Sequence, residues 1–264
     1  MALVTHLNSV SRTALDFVLP PRCHGCGTRV LDDRRFCAAC WGDLTLVSPP
    51  ACSICDLPFD FDPDFAGVEA TDQQSATVCA GCQARPPAFS WAATAMLYDD
   101  ISKPYILKLK HGRATALSNP IGRLMAARLL SAGRLSGDKP WRVVPVPLHK
   151  NRYRTRRFNQ SFLLAKALIK AMPNRGLILY PSLLQRVKAT RSQGGLSRKG
   201  RQRNLVGAFD VPKAARPVIK GQSVLLVDDV FTTGATVESA ARVMKRAGAG
   251  AIGVVCAARV VGPR

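Results

Sequence analysis

SVLLVDDVFTTGATVESAARVMKRAG, residues 223–248, runs an apolar strand-forming segment straight into two adjacent aspartates, Asp228 and Asp229. Two threonines and a glycine follow, and then a helix pattern. The unbroken apolar run from Val224 to Val227 marks a strand covered on both faces. Two neighbouring carboxylates repel each other and weaken a fold. The pair therefore points to something outside the chain that compensates it.

In an open parallel sheet, ligands bind beyond the carboxyl ends of the strands, and the two aspartates stand at such an end. Directly after them, Thr232, Thr233, Gly234, Ala235 and Thr236 lead into a helix. That turn offers backbone N–H groups, hydroxyls and the positive end of a helix dipole, which together make a phosphate cradle. Gly234 lets the backbone approach closely. The carboxylates suit the hydroxyls of a sugar, or a magnesium ion held by that sugar. A phosphate at one end and vicinal hydroxyls at the other describe a ribose 5-phosphate.

Outward from this segment, strand and helix patterns alternate. WAATAMLY (91–98) reads as a strand, ISKPYILKLKHGR (101–113) as a short helix and basic turn, and PIGRLMAARLLSAG (120–133) as a helix. WRVVPVPLH (141–149) is a buried strand ending in a proline-punctuated loop. FNQSFLLAKALIKAM (158–172) is an amphipathic helix with Asn159 near its start. PSLLQRV (181–187) and GAFDV (207–211) are weaker strand candidates, and AIGVVCAARVV (251–261) is the closing strand, with Cys256 in the core. Such alternation predicts an α/β domain with a mostly parallel sheet over residues 91–264. Residues 1–19 fit an N-terminal amphipathic helix rather than a secretion signal, lacking a basic front and a continuous apolar centre. No apolar run of 18 or more residues predicts a membrane span.

Residues 20–90 have a different character, poor in periodic segments and rich in Cys, Pro and Gly. Eight of the nine cysteines fall into C-x-x-C pairs: Cys23/Cys26, Cys37/Cys40, Cys52/Cys55 and Cys79/Cys82. Two cysteines three apart on a tight turn present both sulfurs to one tetrahedral ion, so the spacing predicts structural zinc, in one or two sites. The ten-residue gap within the first quartet favours sequential pairing, Cys23/26/37/40 and Cys52/55/79/82, over an interleaved one. His24 reads as a solvated turn residue. Asp60, Asp62 and Asp64 alternate as calcium ligands do, but the glycine and terminal Glu spacing of an EF-hand are missing, so an acidic loop is expected.

Charge separates the two parts. Residues 1–97 hold 6 Lys and Arg against 10 Asp and Glu; residues 98–264 hold 32 against 7. From Lys139 to Phe209 there is no acidic residue, yet 17 Lys and Arg occur. A one-sign field of that size attracts polyanions. Lys110 and one or two of Arg154, Arg156, Arg157, Arg186, Arg191, Arg198, Arg201 and Arg203 are expected to meet a pyrophosphate, with Pro147 to Asn151 bordering its pocket. Arg154, Arg156, Arg157, Arg198, Lys199, Arg201 and Arg203 are more than a small ligand needs, and are candidates for the phosphates of a nucleic acid. RSQGGLSRKGRQRN (191–204) reads as a flap.

VLLVDDVFTTGAT (224–236) resembles the phosphoribosyl-pyrophosphate motif of type I phosphoribosyltransferases at every position. With the four C-x-x-C pairs, LKHG (109–112), VVPVPLH (143–149), FNQSFLLAKAL (158–168) and RVKATRSQGGLSRKGRQRNLVGAF (186–209), nearly the whole chain from about 20 to 260 is similar to the ComF family. The resemblance implies a double zinc ribbon joined to a Rossmann-like phosphoribosyltransferase domain. It implies phosphoribosyl pyrophosphate with Mg2+ as ligand, Asp228 and Asp229 on the ribose hydroxyls, and residues 232–236 around the 5-phosphate. It also implies cytoplasmic handling of single-stranded DNA in competence, with competence proteins such as a DNA-uptake helicase as partners. The family usually has glycine before Phe-Asn-Gln, where this chain has Arg157; a positive φ there costs about 1 kcal/mol.

Three functions remain open at this level. The chain binds the ligand while assisting DNA uptake, transfers ribose 5-phosphate to a nucleobase or amine, or senses the ligand and signals through the zinc module. No general base is recognisable, so no catalytic residue is assigned.

Overall fold

The computed structural model describes residues 20–59, 77–111, 114–135, 139–189, 200 and 203–261. The expected N-terminal helix (1–19), the acidic loop with Asp60, Asp62 and Asp64, and all but Gly200, Arg203 and Asn204 of the expected flap lie outside the described residues.

Five parallel strands form the central sheet: β1 (Trp91–Leu97), β2 (Trp141–Pro145), β3 (Leu177–Leu179), β6 (Val224–Phe231) and β7 (Ile252–Arg259). Their spatial order is β1-β7-β6-β2-β3. β6, the aspartate-bearing strand, is therefore central, paired with β2 (Val144 opposite Leu226) and β7 (Asp228 opposite Cys256). β4 (Gln185–Arg186) and β5 (Phe209–Asp210) form a separate antiparallel pair of two residues each, where the weaker strand patterns lie.

Helices cover both faces, as continuous apolar strands demand. On one face lie α3 (Ser102–His111), α4 (Ser118–Ser131) and α6 (Gln160–Ala171). Their Ile106, Leu109, Ile121, Met125, Leu164 and Leu168 are buried with Val143, Leu225, Val227 and Val255 of the sheet. Gly122 permits the close crossing of α4 and α6, since a Cβ there would stand 2.5 Å from that of Ala167. On the other face, α8 (Ala235–Arg246) packs Val237, Ala240, Ala241 and Met244 against Val224, Leu226 and Val254. Cys256 is wholly buried in this layer, in the core role expected of it.

Two elements depart from the sequence reading. The segment after β2, expected as loop, contains helix α5 (Lys150–Arg156), with the His149 side chain accepting from the Asn151 N–H at its start. The turn Lys-Asn-Arg-Tyr-Arg-Thr-Arg has no apolar stripe and buries no side chain, so hydrophobic periodicity does not announce it. β3 is the second departure. It is a three-residue edge strand joined to β2 alone, too short for a pattern. Arg157 ends α5 at φ 63°, ψ −2°, the left-handed conformation that a glycine tolerates best.

The cysteine-rich part carries helices α1 (Ala38–Gly42) and α2 (Ala80–Ala84) and clasps the open edge of β1. Val47 N–H donates to Ala95 O and Leu97 N–H to Thr45 O, while Ala92 N–H donates to Ile54 O. Asp56 completes the cover, accepting from the Thr94 N–H at 2.6 Å and its hydroxyl at 2.9 Å. An edge strand is thereby denied to other chains. α7 (Arg216–Ile219) leads into the turn before β6.

Candidate functional site

The carboxyl ends of β2 and β6, the start of α6 and the end of α3 converge on a cleft of about 360 Å3. Lys110, His111, Val146, Pro147, Leu148, Arg152, Arg156, Gln160, Ser161, Arg186, Asp228, Asp229, Thr232 and Thr236 line it. Asp228 and Asp229 are both buried. Asp228 Oδ1 accepts from the Ser161 hydroxyl at 3.0 Å and from the Asp229 N–H at 2.9 Å. Asp229 Oδ2 accepts from Gln160 Nε2 at 3.1 Å and lies 3.1 Å from Lys110 Nζ. Burial, and then the charge of Asp229, push the Asp228 carboxyl up to about 7, against the pull of the Asp229 N–H and Lys110. A bound cation or hydroxyl donors would restore its ionised form.

Asn159 sets this arrangement at the start of α6. Its side chain accepts from the Ser161 N–H and donates to Val146 O, so the helix begins where Gln160 and Ser161 reach the aspartates. The turn after β6 places Gly234 at φ 75° as the N-cap of α8, with no side-chain cap. A Cβ on Gly234 would meet the Phe231 ring at 2.8 Å. Positive φ and the ring beneath it both require glycine there.

The rim is cationic. Burial lowers the pKa of Arg156, and that of Arg186 to about 10, with Arg152 nearby adding to the effect in each case. Burial also lowers the His111 pKa, helped by Arg156 and Lys110. Charges pressed together in this way are relieved by an anion.

The eight paired cysteines form two groups, Cys23/26/37/40 and Cys52/55/79/82, each with its four sulfurs within 4.8 Å of one another. The sequential pairing is thus the observed one. A zinc ion with four sulfurs at about 2.3 Å holds them roughly 3.8 Å apart; Cys26 and Cys37 stand at 3.5 Å, Cys55 and Cys79 at 3.7 Å. Backbone N–H groups of Cys37 and Cys79 point at the sulfurs of Cys23 and Cys52, both at 3.3 Å, as thiolate ligands attract them. The donor sets fit structural zinc. His24 belongs to neither group.

The double zinc ribbon domain family matches residues 14–83, and the phosphoribosyl transferase domain family matches residues 159–261. DNA utilization protein YhgH of Escherichia coli (strain K12) is 33% identical over 229 residues, 85% of this chain and 97% of that protein. Competence protein F of Haemophilus influenzae is 28% identical over 215 residues, 80% of this chain and 91% of its own. Competence protein ComFC of Bacillus subtilis (strain 168) is 23% identical over 222 residues, covering 82% and 80%. The chain belongs to the ComF family.

In this ComF protein the expected site residues divide into groups. Lys110, Asp228 and Asp229 meet directly, and Thr232 and Thr236 share their cleft. Thr233, Gly234 and Ala235 line a second cavity of about 450 Å3 on the far side of the same turn, facing Cys55, Cys79 and Cys82. Of the arginines proposed for nucleic acid, Arg156 lines the ribose-side cleft, whereas Arg154, Arg157 and Arg203 are exposed outside it. Arg198, Lys199 and Arg201 lie outside the described residues. Gln160, Ser161, Arg152 and His111 join the site without having been expected there. Asn159 at a helix start was the available signal for Gln160 and Ser161, because the residues just after an N-cap are the ones a helix presents to its approach side.

No described helix is long and apolar enough to cross a membrane.

Proposed function

We propose that this ComF protein binds phosphoribosyl pyrophosphate with Mg2+ in the cleft beside Asp228 and Asp229, and that it assists cytoplasmic handling of single-stranded DNA. The convergence of two buried carboxylates, Lys110 and a glycine-capped helix start on one cleft supports the ligand. The carboxylates take the ribose hydroxyls or the ion. Thr232 and Thr236 take the 5-phosphate from the cleft side, with the backbone N–H groups of the turn between them, while Lys110, Arg152 and Arg156 hold the pyrophosphate.

Helix α5 supports the nucleic-acid part. It carries Arg152 and Arg156 toward the cleft and leaves Arg154 exposed beside Tyr153, itself 52% exposed. An exposed aromatic between arginines offers a base-stacking surface on a cationic groove. The names of the relatives, DNA utilization and competence proteins, agree with this reading.

Calorimetry of phosphoribosyl pyrophosphate with Mg2+ tests the ligand. Wild type is expected to bind, and Asp229→Asn to bind at least about tenfold more weakly, since a charge-assisted contact is worth about 1.5–3 kcal/mol. Silence in wild type would remove the proposal. Release of pyrophosphate in the presence of one base or amine would instead establish the transferase reading.

A further inference from the structure

Arg259 sits at the end of β7, opposite Phe231 in the sheet register, and is only 5% exposed. Its guanidinium donates to Cys55 O and lies 3.5 Å from Cys55 Sγ, within the second four-cysteine group. The same guanidinium stands 4.6 Å over the centre of the Phe231 ring. That ring underlies Gly234, leaving no room for a Cβ. Four residues therefore form one unbroken stack, from a zinc ligand to the turn that opens α8.

A second tether runs in parallel. The segment following Cys82 reaches α8 through the Ala88 N–H, which donates to Glu238 at 2.8 Å in the first helical turn. Both tethers are anchored at the ribbon end. Asp56, adjacent to Cys55 in sequence, is buried against Thr94 and paired with buried Arg128 of α4. The second cysteine group thus touches the sheet through Asp56, next to the ligand Cys55, as well as the turn through Arg259.

We propose that Arg259 is a positioning residue coupling the second four-cysteine site to the phosphate turn, so that zinc in the one and a sugar 5-phosphate in the other reinforce each other. The inference rests on the sugar-phosphate reading above. Without the metal, Cys55 loses its fixed place, Arg259 loses its carbonyl partner's position, and the Phe231 ring no longer holds Gly234 in its left-handed turn. Coupling is reciprocal, so a 5-phosphate held by the turn retards loss of metal from Cys52/55/79/82.

The test uses the full-length, zinc-loaded chain in three arms. Hydrogen exchange of residues 232–236 is compared among wild type, Arg259→Met, Arg259→Lys and Phe231→Leu. Exchange is expected to quicken several-fold in Arg259→Met and Phe231→Leu, and to return partly in Arg259→Lys. Calorimetry with ribose 5-phosphate is expected to show about tenfold weaker binding in Arg259→Met and Phe231→Leu, within the usual coupling range. Magnesium pyrophosphate, which lacks the 5-phosphate, is expected to bind within about twofold of wild type under the same coupling. Zinc release to a chromogenic chelator should slow for one of the two ions when ribose 5-phosphate is present.

Unchanged exchange and unchanged ribose 5-phosphate affinity in both variants would overturn the coupling. So would equal loss of both ligands with faster exchange throughout the chain, because that outcome is general unfolding. If wild type binds neither ligand while Arg259→Met still loosens residues 232–236, Arg259 still positions the turn, but the sugar-phosphate reading falls and the ligand half of the coupling falls with it.

Discussion

Lys110 Nζ lies 3.1 Å from Asp229 Oδ2, joining the end of α3 to the central strand across the mouth of the cleft. Lys110 therefore occupies the place a cation would take, while standing within reach of any pyrophosphate bound there. In the proposed complex these two roles of Lys110 oppose each other.

Removing that lysine should separate them. In Lys110→Met, Mg2+ alone is expected to bind about three- to tenfold more tightly, because its competitor for Asp229 is gone. Phosphoribosyl pyrophosphate with Mg2+ is expected to bind about tenfold more weakly, having lost a cationic partner. Paired titrations measure both; a change in the same direction for the two would refute the shared role.

The raised Asp228 carboxyl makes a pH prediction. A group near 7 in the free protein that must ionise to accept hydroxyls or a cation releases its proton on binding. Affinity for the magnesium complex is then expected to climb between about pH 6 and pH 8 and to level off above. In Asp228→Asn the climb should vanish. The same shift works against the unliganded fold. A folded-state value above the ordinary 3.8 means the folded chain binds more protons than the unfolded one between roughly 4 and 7. This group's contribution to stability therefore declines as pH rises through that window.

The buried Asp56–Arg128 pair is a stability prediction. Arg128→Met strips the partner from a carboxylate that is 1% exposed. Breaking a buried pair from one side costs about 3–5 kcal/mol, so the denaturation midpoint is expected to fall sharply, with weaker zinc retention at Cys52/55/79/82. A midpoint within error of wild type would show that Thr94 alone satisfies Asp56.

Single-strand DNA binding should divide by residue chemistry. Neutralising Arg154 and Arg157 is expected to reduce the salt slope by up to about 0.7 for each DNA phosphate that an arginine had neutralised. Tyr153→Ala should leave the slope unchanged while weakening binding by about 1–3 kcal/mol, the usual value of a stacked base. Fluorescence anisotropy at several salt concentrations reads both. Identical curves for all variants would move the interaction away from α5.

Much of this protein is legible in its residues alone. The run Val224–Val227 reads as a central strand because an unbroken apolar stretch has to be covered on both faces. The four C-x-x-C pairs read as metal sites because a three-residue spacing dictates sulfur geometry locally. Helix α5 is not legible, since Lys150–Arg156 owes its place to the surrounding cleft rather than to an apolar face. Ser161 is hidden for a related reason: its hydroxyl matters only because it meets Asp228, 67 residues away.

Local chemistry is written into short spacings, and so the chain announces its strand, its glycine turn, its paired thiols and its cationic half without help. Contacts between distant segments are set by how the layers pack, and no spacing encodes them. Packing alone puts Lys110 on Asp229, puts Gln160 beside them, and binds Arg259 to Cys55 across 204 residues. Burial explains the division. Whether the Asp228 carboxyl is held above its ordinary range, or an arginine braces a turn, depends on the water that neighbouring layers exclude.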